Sequence, residues 1–366
     1  LAIGAAVYVF RPVANVGPPA ASPSSPPSAP GQTAAASLSS VVTGPPSIDR
    51  GVSGVSIGLA DGRVLLAGGG TEPSDTAELF DPASRTWQAV GNMLSPRGYP
   101  VWVRLADGRV LVAGGANQSG TLDSVEIFDP ATATWTSTGS MTGARGQSFA
   151  TLLADGKVLV AGGGDDPLRT KAEIYDPATG KWSPTGDMKA GRAGPLSATL
   201  LDDGRVLVTG GFTVDQQSAE LYDPATGTWS ATARMSGKKV DEQTATKLPD
   251  GRVLVVGGQP TVAEVFDSAS STWTAAPTVA ALGDFLDSVL LDNGKVLLFG
   301  GTTHLGVPGG AELFDPSTGT WTDGGLLAEI RFVRSATLLP NGGVLVIGST
   351  TSNPSTPIAE IYQPRP

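Results

Sequence analysis

Cationic side chains recur at one position along this sequence, ten residues after a tryptophan or its equivalent. The residues at that position are Arg50, Arg97, Arg145, Arg192, Lys239, Gly283 and Arg331. Six of these seven are cationic, although the formal net charge of the 366-residue chain is −10. Clustered arginines suit bidentate recognition of carboxylates. One hypothesis is therefore a ring of cations that binds an acidic sugar, a carboxylate or an acidic peptide.

A second interpretation of the same cations is structural. Each of seven recurring units also carries one glutamate, in the third of its predicted strands. These glutamates are Glu78, Glu126, Glu173, Glu220, Glu264, Glu312 and Glu360. One arginine and one glutamate per unit would pair and leave no free charge for a ligand. Both interpretations stay open at the level of the sequence.

Further candidate ligand-binding residues lie where the regular pattern breaks. The unit without the cation reads Gly283-Asp284-Phe285, and a variable segment nearby holds His304, the only histidine of the chain. We add Asp284, Phe285 and His304 to the cations as candidates. Asp165-Asp166 could contact a cation, but no calcium-loop spacing surrounds the pair. The sequence predicts no catalytic residue, no metal site and no cofactor.

The elements that position these residues belong to a sequence that repeats seven times. The stretch from Leu105 to Gly115 reads LADGRVLVAGG, and similar stretches begin at seven leucines. These are Leu59, Leu105, Leu153, Leu201, Leu248, Leu291 and Leu339, spaced 43 to 48 residues apart. A fixed period of this length is typical of a repeat array or a propeller.

Each unit predicts four short antiparallel strands. An Asp-Gly or Asn-Gly pair after the leucine predicts a hairpin with a type I′ turn. The apolar second strand ends in two glycines, such as Gly114-Gly115, which allow another backbone to approach closely. A third strand such as AELFDP follows, and a fourth carries the tryptophan. Burial of that tryptophan against a neighbouring unit should stabilise the fold by about 2–3 kcal/mol.

The double glycine, the aromatic residue of the third strand and the tryptophan of the fourth together resemble the kelch repeat. The aromatic residues are Phe80, Phe128, Tyr175, Tyr222, Phe266, Phe314 and Tyr362. The resemblance covers residues 38–366 and implies an all-β fold, a seven-bladed β-propeller with four antiparallel strands per blade. The seventh unit lacks a tryptophan strand. Alignment of the segment from Ser40 with the segment from Trp135 predicts that residues 39–44 supply this outer strand.

Two further segments precede the repeats. Residues 1–11 are mostly apolar and fit a truncated transmembrane helix or the remains of a signal peptide; a disordered apolar segment is the alternative. Residues 12–37 are rich in proline, serine and alanine and predict a disordered linker. We therefore expect an extracytoplasmic bacterial propeller, either secreted or tethered at the cell surface by a membrane segment.

Composition and the kelch resemblance together exclude some classes of function. The acidic net charge argues against a nucleic-acid partner. Galactose oxidase, a kelch-containing enzyme, uses two histidines and a cysteine crosslinked to tyrosine, so one histidine and no cysteine exclude its copper chemistry. The preferred hypothesis is a monomeric, non-catalytic scaffold whose loops bind a protein or a glycan, with an anionic ligand as one option. The alternative is a sugar-acid enzyme, of the sialidase or sialic acid mutarotase type, that uses the arginine ring.

Overall fold

A computed structural model describes the fold over most of the chain. The residues described are 41–43, 46, 55–69, 73–164, 168–213, 215–237, 243–258, 261–277, 279, 286–300, 310–330, 332–350 and 357–364. Within these ranges the fold is all-β, with seven four-stranded antiparallel sheets, one short hairpin and one turn of 3-10 helix. No helix in the same ranges is long and apolar enough to cross a membrane. The predicted segments 1–11 and 12–37 lie outside them and stay predictions.

The seven sheets are the seven predicted blades, and they follow one another along the chain. The strand ahead of blade 1 is β1 (Val41–Thr43). Blade 1 consists of β2 (Val55–Gly58), β3 (Val64–Ala67), β4 (Ala77–Asp81) and β5 (Thr86–Ala89). Blade 2 consists of β6 (Val101–Arg104), β7 (Val110–Ala113), β10 (Val125–Asp129) and β11 (Thr134–Thr138), with the hairpin β8 (Ala116–Asn117) and β9 (Gly120–Thr121) inserted. Blade 3 consists of β12 (Phe149–Leu152), β13 (Val158–Ala161), β14 (Ala172–Asp176) and β15 (Lys181–Pro184), with the 3-10 turn at Leu168–Thr170.

The remaining blades have the same design. Blade 4 consists of β16 (Ala193–Leu200), β17 (Val206–Phe212), β18 (Ala219–Asp223) and β19 (Thr228–Ala231). Blade 5 consists of β20 (Gln243–Lys247), β21 (Val253–Gly257), β22 (Val262–Asp267) and β23 (Thr272–Ala275). Blade 6 consists of β24 (Asp287–Leu290), β25 (Val296–Gly300), β26 (Gly310–Asp315) and β27 (Thr320–Leu326). Blade 7 takes β28 (Phe332–Leu338), β29 (Val344–Ser349) and β30 (Pro357–Tyr362) from the C-terminal part of the chain.

The first strand of the chain closes the ring, as the sequence predicts. The fourth strand of blade 7 is β1, which pairs antiparallel with β30 in the register Val41 to Ile361 and Thr43 to Ala359. Thr43 is buried, and its hydroxyl donates a hydrogen bond to the carbonyl oxygen of Ala359 at 3.2 Å. The two ends of the propeller are thereby joined in one sheet.

The two ends of each blade differ because all the blades run in the same sense. The loop face carries the loops between second and third strands and the crossovers from one blade to the next. The turn face carries the hairpin turns between first and second strands and the turns between third and fourth strands. Val41, where β1 begins, pairs with Ile361 near the end of β30, so both chain ends of the described propeller lie at the turn face.

The hairpin turns on the turn face differ in type from the prediction. In blade 1, Gly62 N–H donates to Leu59 O at 3.2 Å, and Leu59 N–H donates to Arg63 O at 2.8 Å. Gly62 has a φ of 88°, whereas Asp61 keeps a negative φ. This is a three-residue loop, a type I turn closed by a left-handed glycine, and the same two bonds recur in all seven blades. The type I′ prediction is wrong because Asp61 Oδ1 accepts the N–H of Arg63 at 3.0 Å, which stabilises the type I turn.

The core lies between successive blades rather than at one centre. The six tryptophans of the fourth strands each pack on the aromatic residue of the third strand in the same blade, with ring centroids 4.9–5.0 Å apart. The indole N–H of Trp229 also reaches the preceding blade segment and donates to Gly186 O at 2.7 Å. Trp102, on an inner strand, packs edge-on against Trp135 at 6.1 Å and fills the space beside Ile57 of blade 1. The tryptophans are therefore contacts between blades, as expected.

Candidate functional site

Three of the predicted ring cations are buried under the loop face. Arg97, Arg145 and Arg192 lie in the crossovers into blades 2, 3 and 4, and each side chain is at most 1% exposed. The Arg145 guanidinium donates to Glu173 Oε1 at 2.8 Å and to the carbonyl oxygen of Lys171 at 2.9 Å. The corresponding ion pairs are Arg97–Glu126 at 2.8 Å and Arg192–Glu220 at 3.3 Å. For these three arginines the structure shows the second interpretation of the sequence, in which each arginine pairs with the glutamate of its blade.

The glutamates of these pairs also hold the crossover backbone. Glu173 Oε2 accepts the N–H of Thr142 at 2.7 Å, and Glu220 Oε2 accepts the N–H of Lys189 at 2.6 Å. Blades 5 and 7 repeat this contact, because Glu264 accepts the N–H of Ser236 at 2.7 Å and Glu360 accepts three backbone N–H groups. The buried carboxylates therefore fix the path of the chain into each of these blades.

The double glycine of blades 1, 2 and 3 lets the following crossover lie against that blade. Gly115 N–H donates to Arg145 O at 2.7 Å, and Gly163 N–H donates to Arg192 O at 2.8 Å. Gly162 has a φ of 70°, and a Cβ at this position would lie 2.7 Å from Arg192 O. Only glycine leaves room for that carbonyl. A crossover arginine thus binds the preceding blade through its carbonyl oxygen and its own blade through its guanidinium.

The guanidiniums of Arg97, Arg145 and Arg192 consequently present no surface to a ligand above the loop face. Burial lowers the pKa of Arg192 from its ordinary value, and Glu220 opposes that shift. The other candidates fall outside the described residues. These are Arg50, Lys239, Asp284, Phe285, His304 and Arg331. Glu312, in the blade whose cation position is Gly283, is only partly buried; burial and the nearby Asp323 raise its pKa.

The exposed surface of the loop face is instead partly apolar. Among the described residues, all four large hydrophobic side chains that are exposed lie on this face. They are Leu94, Tyr99, Phe212 and Leu326, with 43–62% of each residue exposed. In blades 1 to 5 the turn face carries a repeated exposed ion pair within each hairpin turn. These pairs are Asp61–Arg63, Asp107–Arg109, Asp155–Lys157, Asp203–Arg205 and Asp250–Arg252.

Tyr99 and Phe212 lie near the inner strands, and the sequence analysis missed both. Tyr99 directly precedes the segment into β6 and has a φ of 53°; Phe212 ends β17. A signal for Tyr99 exists in the alignment of the units. The residues two positions after Arg97, Arg145 and Arg192 are Tyr99, Gln147 and Gly194, respectively. The glycine indicates a left-handed backbone position, where a tyrosine is unusual.

The first strands of the blades are the inner strands, which contact one another around the central channel of the propeller. Polar contacts also link these inner strands. Ser288 bonds Thr246 at 2.6 Å between blades 6 and 5. Asp287 Oδ2 accepts the N–H of Ala336 at 2.7 Å between blades 6 and 7. Burial raises the pKa of Asp287 to about 6, although hydrogen bonds from the N–H groups of Ala336 and Ser288 oppose the shift. Within the described ranges, no group of three or more acidic or histidine side chains is placed to hold a metal ion.

Comparisons with known proteins agree with this architecture. The sequence model of the kelch motif matches residues 104–142, 146–189 and 196–236. A fungal alcohol oxidase of the AA5 family, solved in complex with copper, has a similar structure at 16% sequence identity and a TM-score of 0.73. The similarity covers 89% of this chain and 76% of the oxidase, and at such low identity it concerns the fold alone. No curated protein sequence matches this chain. The structure is thus a seven-bladed β-propeller, and three of its repeating units match the kelch motif.

Proposed function

We propose that this propeller is a non-catalytic binding module that recognises a protein or a glycan with its loop face, outside the cell membrane. Kelch propellers generally mediate protein binding. The observation that carries the proposal is the segregation of exposed apolar side chains. Leu94, Tyr99, Phe212 and Leu326 all lie on the loop face, and exposed hydrophobic side chains on a rigid scaffold favour recognition.

The position of the chain ends supports a tethered arrangement. The chain joins β1 at the turn face, and β30 ends at the same face. Residues ahead of Val41 therefore connect to the propeller at its turn face, and neither chain end of the described propeller lies on the loop face. The proposal does not use the arginine ring, because the three described guanidiniums are engaged by glutamates and backbone carbonyls.

The absence of native cysteine gives a direct test of the binding face. Leu94→Cys places one thiol on the loop face, and Arg109→Cys places one on the turn face. Each variant of the 366-residue chain is coupled to a bulky polyethylene glycol maleimide and applied to glycan and peptide arrays. We expect the label at position 94 to reduce binding and the label at position 109 to leave it unchanged. Loss of binding only with the turn-face label would contradict the proposed face.

The same loop-face variant tests the location of the protein. Intact cells that express Leu94→Cys are treated with a membrane-impermeant thiol reagent. Because the chain contains no other thiol, labelling reports this position alone. We expect labelling of intact cells. Labelling that requires lysis would place the loop face inside the membrane barrier and refute the extracytoplasmic proposal.

A further inference from the structure

Three residues from neighbouring blades form a row across the inner edge of the loop face. Tyr99, Gln147 and Gly194 directly precede or begin the inner strands of blades 2, 3 and 4. Gln147 N–H donates to Tyr99 O at 3.3 Å, and Gly194 N–H donates to Gln147 O at 3.0 Å. Hydrogen-bonded neighbouring chains lie about 5 Å apart, so the row extends about 10 Å around the channel mouth.

All three residues of the row have a left-handed backbone. Their φ angles are 53° at Tyr99, 57° at Gln147 and 89° at Gly194. Glycine adopts this conformation freely, whereas other residues pay about 1–3 kcal/mol. Tyr99 is nevertheless retained there and is 46% exposed. Arg85 and Ala133 adopt the same backbone in turns of the turn face. Tyr99 differs from them because it holds an exposed aromatic ring at the inner edge of the loop face.

A second exposed aromatic ring covers the other end of the row. Phe212 pairs with Ala193, and a Cβ at Gly194 would lie 2.6 Å from ring atoms Cδ2 and Cε2 of Phe212. The phenylalanine ring therefore rests on the glycine backbone while 43% of the residue stays exposed. Two aromatic rings thus flank the row, with the exposed side-chain amide of Gln147 between them.

The residues of the row and Phe212 carry no charge of their own. The nearby cations Arg97, Arg145 and Arg192 are buried in pairs with glutamates. The surface thus combines two aromatic faces with a primary amide.

We infer that Tyr99, Gln147 and Phe212 bind a neutral oligosaccharide, which deepens the proposed function and rests on it. The apolar C–H faces of successive sugar rings pack against the two aromatic rings. The Gln147 amide, which has both donors and an acceptor, bonds the hydroxyl groups at the sugar edges. Because the row is wider than one pyranose ring, the ligand is a chain of sugars rather than a monosaccharide.

A peptide strand suits the same surface less well. Extended peptides commonly bind by adding main-chain hydrogen bonds to a free backbone edge. Along this row, Tyr99 O, both backbone groups of Gln147 and Gly194 N are already bonded to one another. The row offers side chains rather than backbone edges, and none of its own residues is cationic, which does not favour acidic peptides.

The left-handed backbone provides a variant that separates binding from folding. Tyr99→Gly removes the ring but keeps the conformation that glycine accepts, so thermal unfolding of the full chain should barely change. Phe212→Ala removes the second ring. Arg85→Gly is the matched control, because Arg85 is exposed and has a φ of 58°, similar to that of Tyr99, but lies in a turn on the turn face. Each chain is applied to arrays of neutral glycans, acidic glycans and peptides, at low and high salt.

We expect the parent chain to bind neutral oligosaccharides with little dependence on salt. Tyr99→Gly and Phe212→Ala should each weaken that binding about tenfold, and Arg85→Gly should leave it unchanged. Peptide binding without glycan binding overturns this inference and leaves the proposed binding module standing. Binding of acidic glycans alone, or an unaltered affinity of Tyr99→Gly, also overturns it. Absence of binding on every array overturns both proposals.

Discussion

Nη2 of Arg145 lies 2.8 Å from Oε1 of Glu173, and each side chain is only 1% exposed. The same arginine accepts a hydrogen bond from Gly115 of the preceding blade through its carbonyl oxygen. Two adjacent blades therefore meet at one residue. The Arg145 guanidinium, which the sequence alone allowed to bind a ligand, instead stabilises the junction between blades.

Removing this arginine should destabilise the propeller strongly. We predict that Arg145→Ala lowers the free energy of unfolding by about 3–5 kcal/mol, because it leaves the Glu173 carboxylate buried without its partner. Chemical denaturation measures the change. Glu173→Gln in the same background should restore part of the loss by removing the unpaired charge. The control is Arg109→Ala, whose ion pair with Asp107 is exposed and should contribute under about 1 kcal/mol. Equal effects of the two arginine substitutions would contradict the buried-pair account.

The double glycine should tolerate no side chain where a crossover carbonyl approaches it. Gly114 and Gly156 both have a positive φ, but a Cβ at Gly114 would overlap Arg145 O, whereas a Cβ at Gly156 meets nothing within 4 Å. Gly156→Ala should therefore cost about 1–2 kcal/mol from backbone strain alone. Gly114→Ala should cost about 1–3 kcal/mol more, because the carbonyl must move. Thermal and denaturant unfolding of the pair separates the two contributions; similar losses would show that the close approach has no energetic role.

The raised pKa of Asp287 predicts a pH dependence of stability. The pKa of the Asp287 carboxyl group rises from 3.8, its ordinary value, to about 6 in the folded protein. The folded state therefore binds the carboxyl proton more tightly than the unfolded state does. The contribution of Asp287 is fully present below pH 4 and is lost as the pH rises through 6. We predict that Asp287→Asn, which keeps an oxygen acceptor for Ala336 N–H, removes this loss and stabilises the protein above pH 6. The free energy of unfolding of both proteins is measured from pH 4 to 8. The same dependence on pH in the parent and the variant would disprove the prediction.

The closing strand should contribute measurably to stability. Removal of residues 1–46 deletes β1 and leaves β30 as an unpaired edge in blade 7. We predict a lower melting temperature for that chain, by about 2–4 °C for each kcal/mol lost, and a greater tendency to aggregate. Removal of residues 1–36 spares β1 and is the control, with an expected melting temperature equal to that of the full chain. A common melting temperature for both truncated chains would argue against closure by β1.

The sequence by itself determined the architecture, because each unit carries its own local signals. The Asp-Gly turns, the apolar second strands and the tryptophan of the fourth strand act over a few residues, and their sevenfold period sets the number of blades. The missing tryptophan strand of the last unit also located the closing strand near residue 41. The hairpin turn type could not be predicted from the sequence, because Asp-Gly suits both a type I′ turn and the type I turn that the Asp61 side chain stabilises.

Only the tertiary structure decided the role of the charges. Arg145 and Glu173 stand 28 residues apart in the chain, and the sequence allowed both a pair and a free cation. The choice depends on desolvation: once the crossover packs against the glycine strand of the preceding blade, a guanidinium under it must find acceptors within the fold. Tyr99 and Phe212 are 113 residues apart, so no local pattern could place them at one channel mouth. The inner strands of blades 2, 3 and 4 pack side by side, and this packing over long sequence separation is what the tertiary structure adds.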